Sequence, residues 1–263
     1  MTENRDLQLV QVLWTGGLDS TCRMLQLSKL NVRIQPYYLL DNKYRRSIAN
    51  ELNAISAITK DIEANHETRC ILLPLITVRV ADIEEDHDIT LAYNRIREKV
   101  PIGHQYDWLA RFAKYNPGLE ISFAKDESAK LYHYLKKYEV MRSVDEGMIK
   151  YYIIDETKCD NDLVKIFGSF HFPYPLLFTT KIESVAVYKE LGFEETINKT
   201  WFCHTPVKNE PCGLCSPCRI AIKEGLTFRF PARSLKRFQT EIRFERYLWY
   251  RLFKKIRYRL AGY

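Results

Sequence analysis

No stretch of the 263 residues approaches the roughly 18 consecutive apolar positions that a membrane-crossing helix needs. Transmembrane helices therefore drop out of the expected architecture. The opening Met1-Thr2-Glu3-Asn4-Arg5-Asp6 lacks the basic start and apolar stretch of a secretory signal, so the expected compartment is cytoplasmic. Internal repeats and low-complexity tracts are also missing, which argues against repeat arrays. What the chain does hold is 46% hydrophobic residues, with aromatics at 13%. That is enough for one sizeable core and too much for a disordered segment.

Charge is unevenly spread. Residues 229–263 carry eleven Lys or Arg against Glu241 and Glu245, a local charge of +9, whereas the whole chain carries +7. The remainder is slightly acidic, and the basicity belongs to the tail. Cysteine is uneven too. Of seven, Cys203, Cys212, Cys215 and Cys218 fall within sixteen residues. In a chain without a secretory start, metal binding explains such crowding better than disulfides.

Periodicity gives an alternating order of elements. Residues 7–14 read as a strand, 21–30 as a helix with Met24, Leu27 and Leu30 on one side, and Ile34–Leu40 as a second strand ending at Asp41. Ile48, Leu52, Ile55 and Ile58 mark a helix, Ile71–Leu75 a strand, Trp108, Leu109, Phe112 and Ala113 a helix, and Leu119–Ala124 a strand. Residues 125–174 read as an insertion with helical segments around Leu131–Met141. Thr180 and Glu183 form a candidate capping box for a helix that ends before Gly192. This order predicts an α/β fold with a doubly wound, mostly parallel sheet, whose ligands gather at the carboxyl ends of the strands. The Thr15 loop and Asp41 both fall at such ends.

Thr15-Gly16-Gly17-Leu18-Asp19-Ser20 lies between the first strand and the first helix. Paired glycines let the backbone turn tightly and expose its amides, and the following helix adds positive potential suited to phosphate. Thr15 and Ser20 can add hydroxyl donors, while Asp19 can hold a magnesium ion that bridges phosphates. The loop has no Gly-Lys-Ser/Thr, which disfavours a Walker-type kinase or GTPase. A plain structural turn is the alternative reading of the glycine pair alone.

The cysteines follow the spacing C-x8-C-x2-C-x2-C. Paired C-x-x-C sulfurs converge on one ion, and four thiolates complete a tetrahedral zinc site of structural type. An iron–sulfur cluster, a redox pair and chance clustering are the alternatives. His204 reads as a neighbour of the site.

The loop resembles the S-G-G-x-D-S signature of PP-loop ATP pyrophosphatases, with Thr15 keeping the hydroxyl of the first serine. Together with Thr180-Lys181-Ile182-Glu183, Thr200-Trp201-Phe202-Cys203, Pro211-Cys212-Gly213-Leu214-Cys215-Ser216-Pro217-Cys218-Arg219 and the basic-then-Glu stretch 45–51, it is similar to the 7-cyano-7-deazaguanine synthase family. The similarity spans roughly residues 8–125 and 174–226, with gaps. It implies an adenine nucleotide alpha hydrolase-like fold and a ligase that adenylates a carboxylate with ATP for attack by ammonia or another amine, releasing AMP and pyrophosphate. The family carboxylate is 7-carboxy-7-deazaguanine, and a second activation turns the amide into a nitrile.

By the same resemblance, Thr15, Gly16, Gly17, Asp19 and Ser20 bind pyrophosphate and Mg2+; Leu18 within the loop, and Asp41 from its place at a strand end, are expected to join the nucleotide site. Asp19, Ser20 and Lys181 serve the reaction, although Lys181 reads equally as a solvated first-turn lysine. Cys203, Cys212, Cys215 and Cys218 hold Zn2+. Where family members carry a Pro-Gly-Arg-Asn-like segment, this chain has Pro101-Ile102-Gly103-His104-Gln105, and the family's Asp-, Gly-, Tyr- and Pro-rich stretch is not recognisable after Ala124.

The expected domains are 1–200 for nucleotide binding, 201–226 for the zinc segment and 227–263 for a basic helical extension. Leu235, Phe238, Ile242, Trp249, Leu252, Ile256 and Leu260 recur at helical steps in that extension. It could pack on the domain or a second subunit as in a homodimer, bind nucleic acid, or lie on an anionic membrane surface. Two rival functions stay open. One is a tRNA-modifying PP-loop ligase or thiolase, for which Cys70 is the candidate thiol. The other is a non-catalytic, zinc-stabilised binding protein.

Overall fold

A computed structural model describes residues 7–43, 45–122, 134–135, 140–174 and 179–260. The chain divides into two compact units, one of residues 1–44 and 48–201, the other of residues 45–47 and 202–263.

The first unit is α/β. Strand β1 (Leu9–Leu13) pairs in parallel with β2 (Arg33–Leu40) on one side and β5 (Leu119–Glu120) on the other. β2 also pairs in parallel with β3 (Ile71–Leu72) and β4 (Ile76–Arg79). β8 (Phe170–Pro173) joins β5 in parallel, and an antiparallel hairpin of β6 (Met141–Glu146) and β7 (Ile149–Ile154) extends the sheet beyond it. The strand order is β3-β2-β1-β5-β8-β7-β6, with β4 beside β2. Chain direction across the sheet thus reverses at β1. This mostly parallel sheet is compatible with a Rossmann-like fold.

Of the expected strand Ile71–Leu75 only Ile71–Leu72 forms, and a second short strand follows it at Ile76–Arg79. Pro36 sits in the middle of β2, where it has no N–H to give, and the neighbouring strand breaks there. β2 bonds Ile71–Leu72 before the proline and Ile76–Arg79 after it, while Gln35 Nε2 donates to the Pro74 carbonyl at 2.9 Å.

Helix α1 (Leu18–Ser28) starts three residues before the position read from periodicity, because Gly17 already serves as its N-cap. α2 (Ile48–Ala64) buries Glu51, Ala54, Ile55, Ile58 and Ile62. Leu52 is only half-buried, and Glu51 goes inward because the Tyr38 hydroxyl donates to its carboxylate at 2.7 Å. α3 (His87–Lys99) has no counterpart in the sequence reading, although Asp86 caps it and Ile89, Ala92, Tyr93 and Ile96 form its inner stripe. α4 (Gln105–Lys114) is the helix expected around Trp108. Together with α5 (Asn161–Phe167), α3 and α4 bury one face of the sheet, including Leu39, Leu119, Ile121, Phe170 and Phe172. Strand alternation turns Glu120 to the opposite face, where Arg23 of α1 meets it. α6 (Lys181–Glu190) has the expected capping box and lies against α1, and Gly192 follows it with φ of 77°.

The described part of residues 125–174 belongs to the sheet. It supplies β6, β7 and β8, and β8 is a parallel strand beside β5. The helical expectation for Leu131–Met141 falls mostly outside the described residues, and Met141 itself opens β6.

The second unit joins what the sequence reading kept as two segments. It contains the cysteines, α7 (Ser216–Lys223) and α8 (Ala232–Leu260). The start of α8 is fastened to the cysteine turn: Ser234 Oγ donates to the Pro211 carbonyl, and Arg237 Nε donates to the Cys212 carbonyl at 2.8 Å. Gly213 has φ of 80°, and a Cβ there would run into the Ser234 backbone. Among the described residues, no helix is long and apolar enough to cross a membrane.

Candidate nucleotide loop and cysteine cluster

The glycine loop leaves the carboxyl end of β1 at the point where the sheet order reverses. Gly16 has φ of 69°, and a Cβ on it would lie 3.0 Å from the Glu51 carbonyl oxygen and 3.2 Å from Ala54 Cβ. Both constraints require glycine. Gly17 is extended, and the α1 ladder begins with Thr21 N–H to the Gly17 carbonyl at 3.0 Å. The amino-terminal end of α1, with its partial positive charge, therefore stands beside the two glycines.

Hydroxyls close the turn. Thr15 N–H donates to Ser20 Oγ at 3.3 Å, and the two side-chain oxygens also lie 3.3 Å apart. Behind them, Trp14 Nε1 donates to Thr21 Oγ1 at 3.0 Å. Two remote segments brace the loop. Trp201 N–H donates to the Gly16 carbonyl at 2.8 Å, and the Tyr188 hydroxyl donates to the Leu18 carbonyl at 2.7 Å. Leu18 and Ser20 are buried, and Asp19 in the first turn is half-buried.

Asp41 directly follows β2 and is buried. Its Oδ1 accepts from Lys43 N–H at 3.2 Å, and its Oδ2 lies 3.4 Å from Nε2 of the exposed His104. His104 belongs to Pro101–Gln105, the segment that departs from the family pattern. Sequence spacing gave no hint of this pairing, because 63 positions separate the two residues. Lys181 stands half-buried in the first turn of α6, about two turns from Tyr188. Tyr188 of α6 ties that helix to the loop.

The buried Arg23–Glu120 pair was also not foreseen. Arg23 Nε and Nη2 meet the two Glu120 oxygens at 2.7 and 2.6 Å, and both side chains are almost wholly buried. This forked geometry satisfies both charges between α1 and β5, so the helix that starts at the loop is fixed to the strand beside β1.

Two free thiols are poor nucleophiles: Cys22, within α1, and Cys70, which bonds through its N–H to the Ser28 carbonyl at the opposite end of α1 from the loop. Burial, with the charge of Asp19 adding to it, pushes the Cys22 thiol up to about 12. Burial pushes Cys70 up to about 11. Both stay protonated near neutral pH, which weighs against a thiolase role for Cys70.

In the second unit, the sulfurs of Cys203, Cys212, Cys215 and Cys218 lie within 4.8 Å of one another and can hold a metal ion such as zinc. Cys212–Cys218 and Cys203–Cys215 are each separated by 3.9 Å. A tetrahedral site with Zn–S bonds of about 2.3 Å places its sulfurs about 3.8 Å apart, so the donor set fits. Backbone amides support the sulfurs: Cys212 N–H points to Cys203 Sγ at 3.2 Å, and Leu214 and Cys215 N–H point to Cys212 Sγ at 3.3 and 3.2 Å. Such donors stabilise thiolates. No protein-family model matches this chain, and no curated protein matches it.

Proposed function

We propose that this chain is an ATP-dependent, AMP-forming ligase that adenylates a carboxylate and passes the acyl group to ammonia or another amine. The observation that carries the reading is the loop itself. Gly16 is sterically compelled, Gly17 caps α1, and the Thr15 and Ser20 hydroxyls meet across the turn at the reversal point of the sheet. This arrangement favours a pyrophosphate at the amino end of α1. On this reading the first unit is a doubly wound, adenine nucleotide alpha hydrolase-like domain.

In the reaction, a substrate carboxylate oxygen attacks the α-phosphorus of ATP, and the bond to the β-phosphate oxygen breaks. Pyrophosphate stays on Thr15, Gly16, Gly17, Leu18 and Ser20. The amine then attacks the acyl adenylate, AMP leaves with the carboxylate oxygen, and the amine gives up a proton. Asp19 would hold Mg2+, which when bound offsets phosphate charge. Asp41 lies at the adjacent strand end and joins the nucleotide site, and Lys181 faces phosphate or substrate. The motif resemblance points to 7-carboxy-7-deazaguanine or a related carboxylate. The Zn2+ implied by the four-cysteine set would be structural, because the protein fills every position of a tetrahedral site.

The test is product analysis with ATP, ammonium and 7-carboxy-7-deazaguanine, alongside other heteroaromatic carboxylates. AMP with amide or nitrile is the expected outcome. AMP with none of the carboxylates, or ADP in its place, overturns the reading.

A further inference from the structure

The helix α8 changes character along its length. Its first turns are fastened to the cysteine segment through Ser234 and Arg237, and Arg219 reaches Glu241 at 3.6 Å. Beyond Ile242 the described side chains stand in solvent: Phe244, Tyr247 and Leu248 are about half exposed, and Trp249 is 69% exposed. The helix carries ten Lys or Arg against two Glu. We propose that the outer part of α8 docks on an anionic membrane surface, lying along the headgroup layer with Trp249 inserted.

Charge and apolar pattern together select this occupant. The repeat that runs Leu235, Phe238, Ile242, Trp249, Leu252 and Ile256 makes one stripe at helical spacing, and ten Lys or Arg are spread among the other positions. A second copy of α8 would bring like charges together along its length, which opposes pairing through this helix. A nucleic acid would neutralise the cations but leave Leu248 and Trp249 in water. Anionic lipid takes both: headgroups meet the cations, and the acyl boundary receives Trp249 and its stripe. At about 1.5 Å per residue the 29 residues of the helix reach about 44 Å, long enough to lie along the interface.

The full chain is mixed with phosphatidylcholine vesicles and with vesicles that also contain phosphatidylglycerol. Trp249 is the exposed one of four tryptophans: Trp14 and Trp108 are buried and Trp201 is half-buried. Tryptophan emission should shift to the blue on the anionic vesicles alone, and Trp249→Phe should sediment with them without the shift. Removing two cations of the outer part in Arg243→Ala/Arg246→Ala should weaken sedimentation about thirtyfold. Equal binding to both vesicle types overturns the proposal. So does tighter binding to a mixed RNA pool than to vesicles, or a dimer in which Trp249 is already shielded from acrylamide. None of these outcomes depends on the ATP reading.

Discussion

The amide of Trp201 donates to the carbonyl of Gly16 at 2.8 Å, joining a segment near the end of the first unit to the loop near its beginning. Tyr188 makes a second bond of this kind to Leu18. Two residues from the far side of the sequence thus fix the backbone of a turn that glycine alone would leave loose.

Gly16 should be intolerant of any side chain. Gly16→Ala forces a left-handed backbone on alanine and pushes its Cβ against the Glu51 carbonyl and Ala54. A loss of about 1–3 kcal/mol is expected, read from urea midpoints, together with lost nucleotide binding. A variant of unchanged stability would show that the turn is not constrained in this way.

The Arg23–Glu120 pair should behave as a buried ion pair. Glu120→Ala strands the guanidinium and should cost about 3–5 kcal/mol, whereas Arg23→Met/Glu120→Leu should recover most of that loss. Equal costs for single and double variants would mean that the pair does not act as a unit.

His171 should make stability depend on acid. Its ring stacks on Tyr151 with centroids 3.8 Å apart. Burial, with Arg23 adding and Glu146 opposing, lowers its pKa from the usual 6.5 to about 4. The fold therefore prefers the neutral ring. Between pH 6.5 and about 4 the unfolded chain takes up a proton that the folded one refuses, so stability falls as pH drops through that window. After allowance for solvent screening the loss is about 2 kcal/mol. His171→Phe keeps the stacking and should flatten this part of the pH profile.

The cysteine cluster should carry metal in proportion to protein. Mass spectrometry of the purified chain should find zinc in equimolar amount, and Cys215→Ser should lose it. Because the start of α8 is bonded to Pro211 and Cys212, chelation should also raise hydrogen exchange in the first turns of α8. Metal-free wild-type protein with unchanged exchange would contradict this.

Features with a local cause were legible in the sequence. The capping box at Thr180 and Glu183, the cysteine spacing and the β1–loop–α1 order depend on neighbouring residues, and each reappears in the structure. Features that need a partner from elsewhere were not. Glu51 lies outside the Ile48, Leu52, Ile55 and Ile58 stripe, and what buries it is Tyr38 on another element; Pro36 likewise gives no local sign that the strand opposite breaks. The stretch 125–174 looked foreign because β6 and β7 form a hairpin outside the βαβ rhythm. Its last strand, β8, could be assigned only by its pairing with β5. Asp41 was read from its place at a strand end, whereas His104 beside it could not be, since no spacing rule links residues on separate elements.

The most direct test of the ATP reading is exchange of labelled pyrophosphate into ATP. If the loop holds pyrophosphate while a carboxylate is adenylated, the wild-type chain should exchange label only when its carboxylate is present. Asp19→Asn, with its fold unchanged by circular dichroism, should exchange at least about a hundredfold more slowly. Carboxylate-dependent release of ADP and phosphate, with no label entering ATP, would contradict the account.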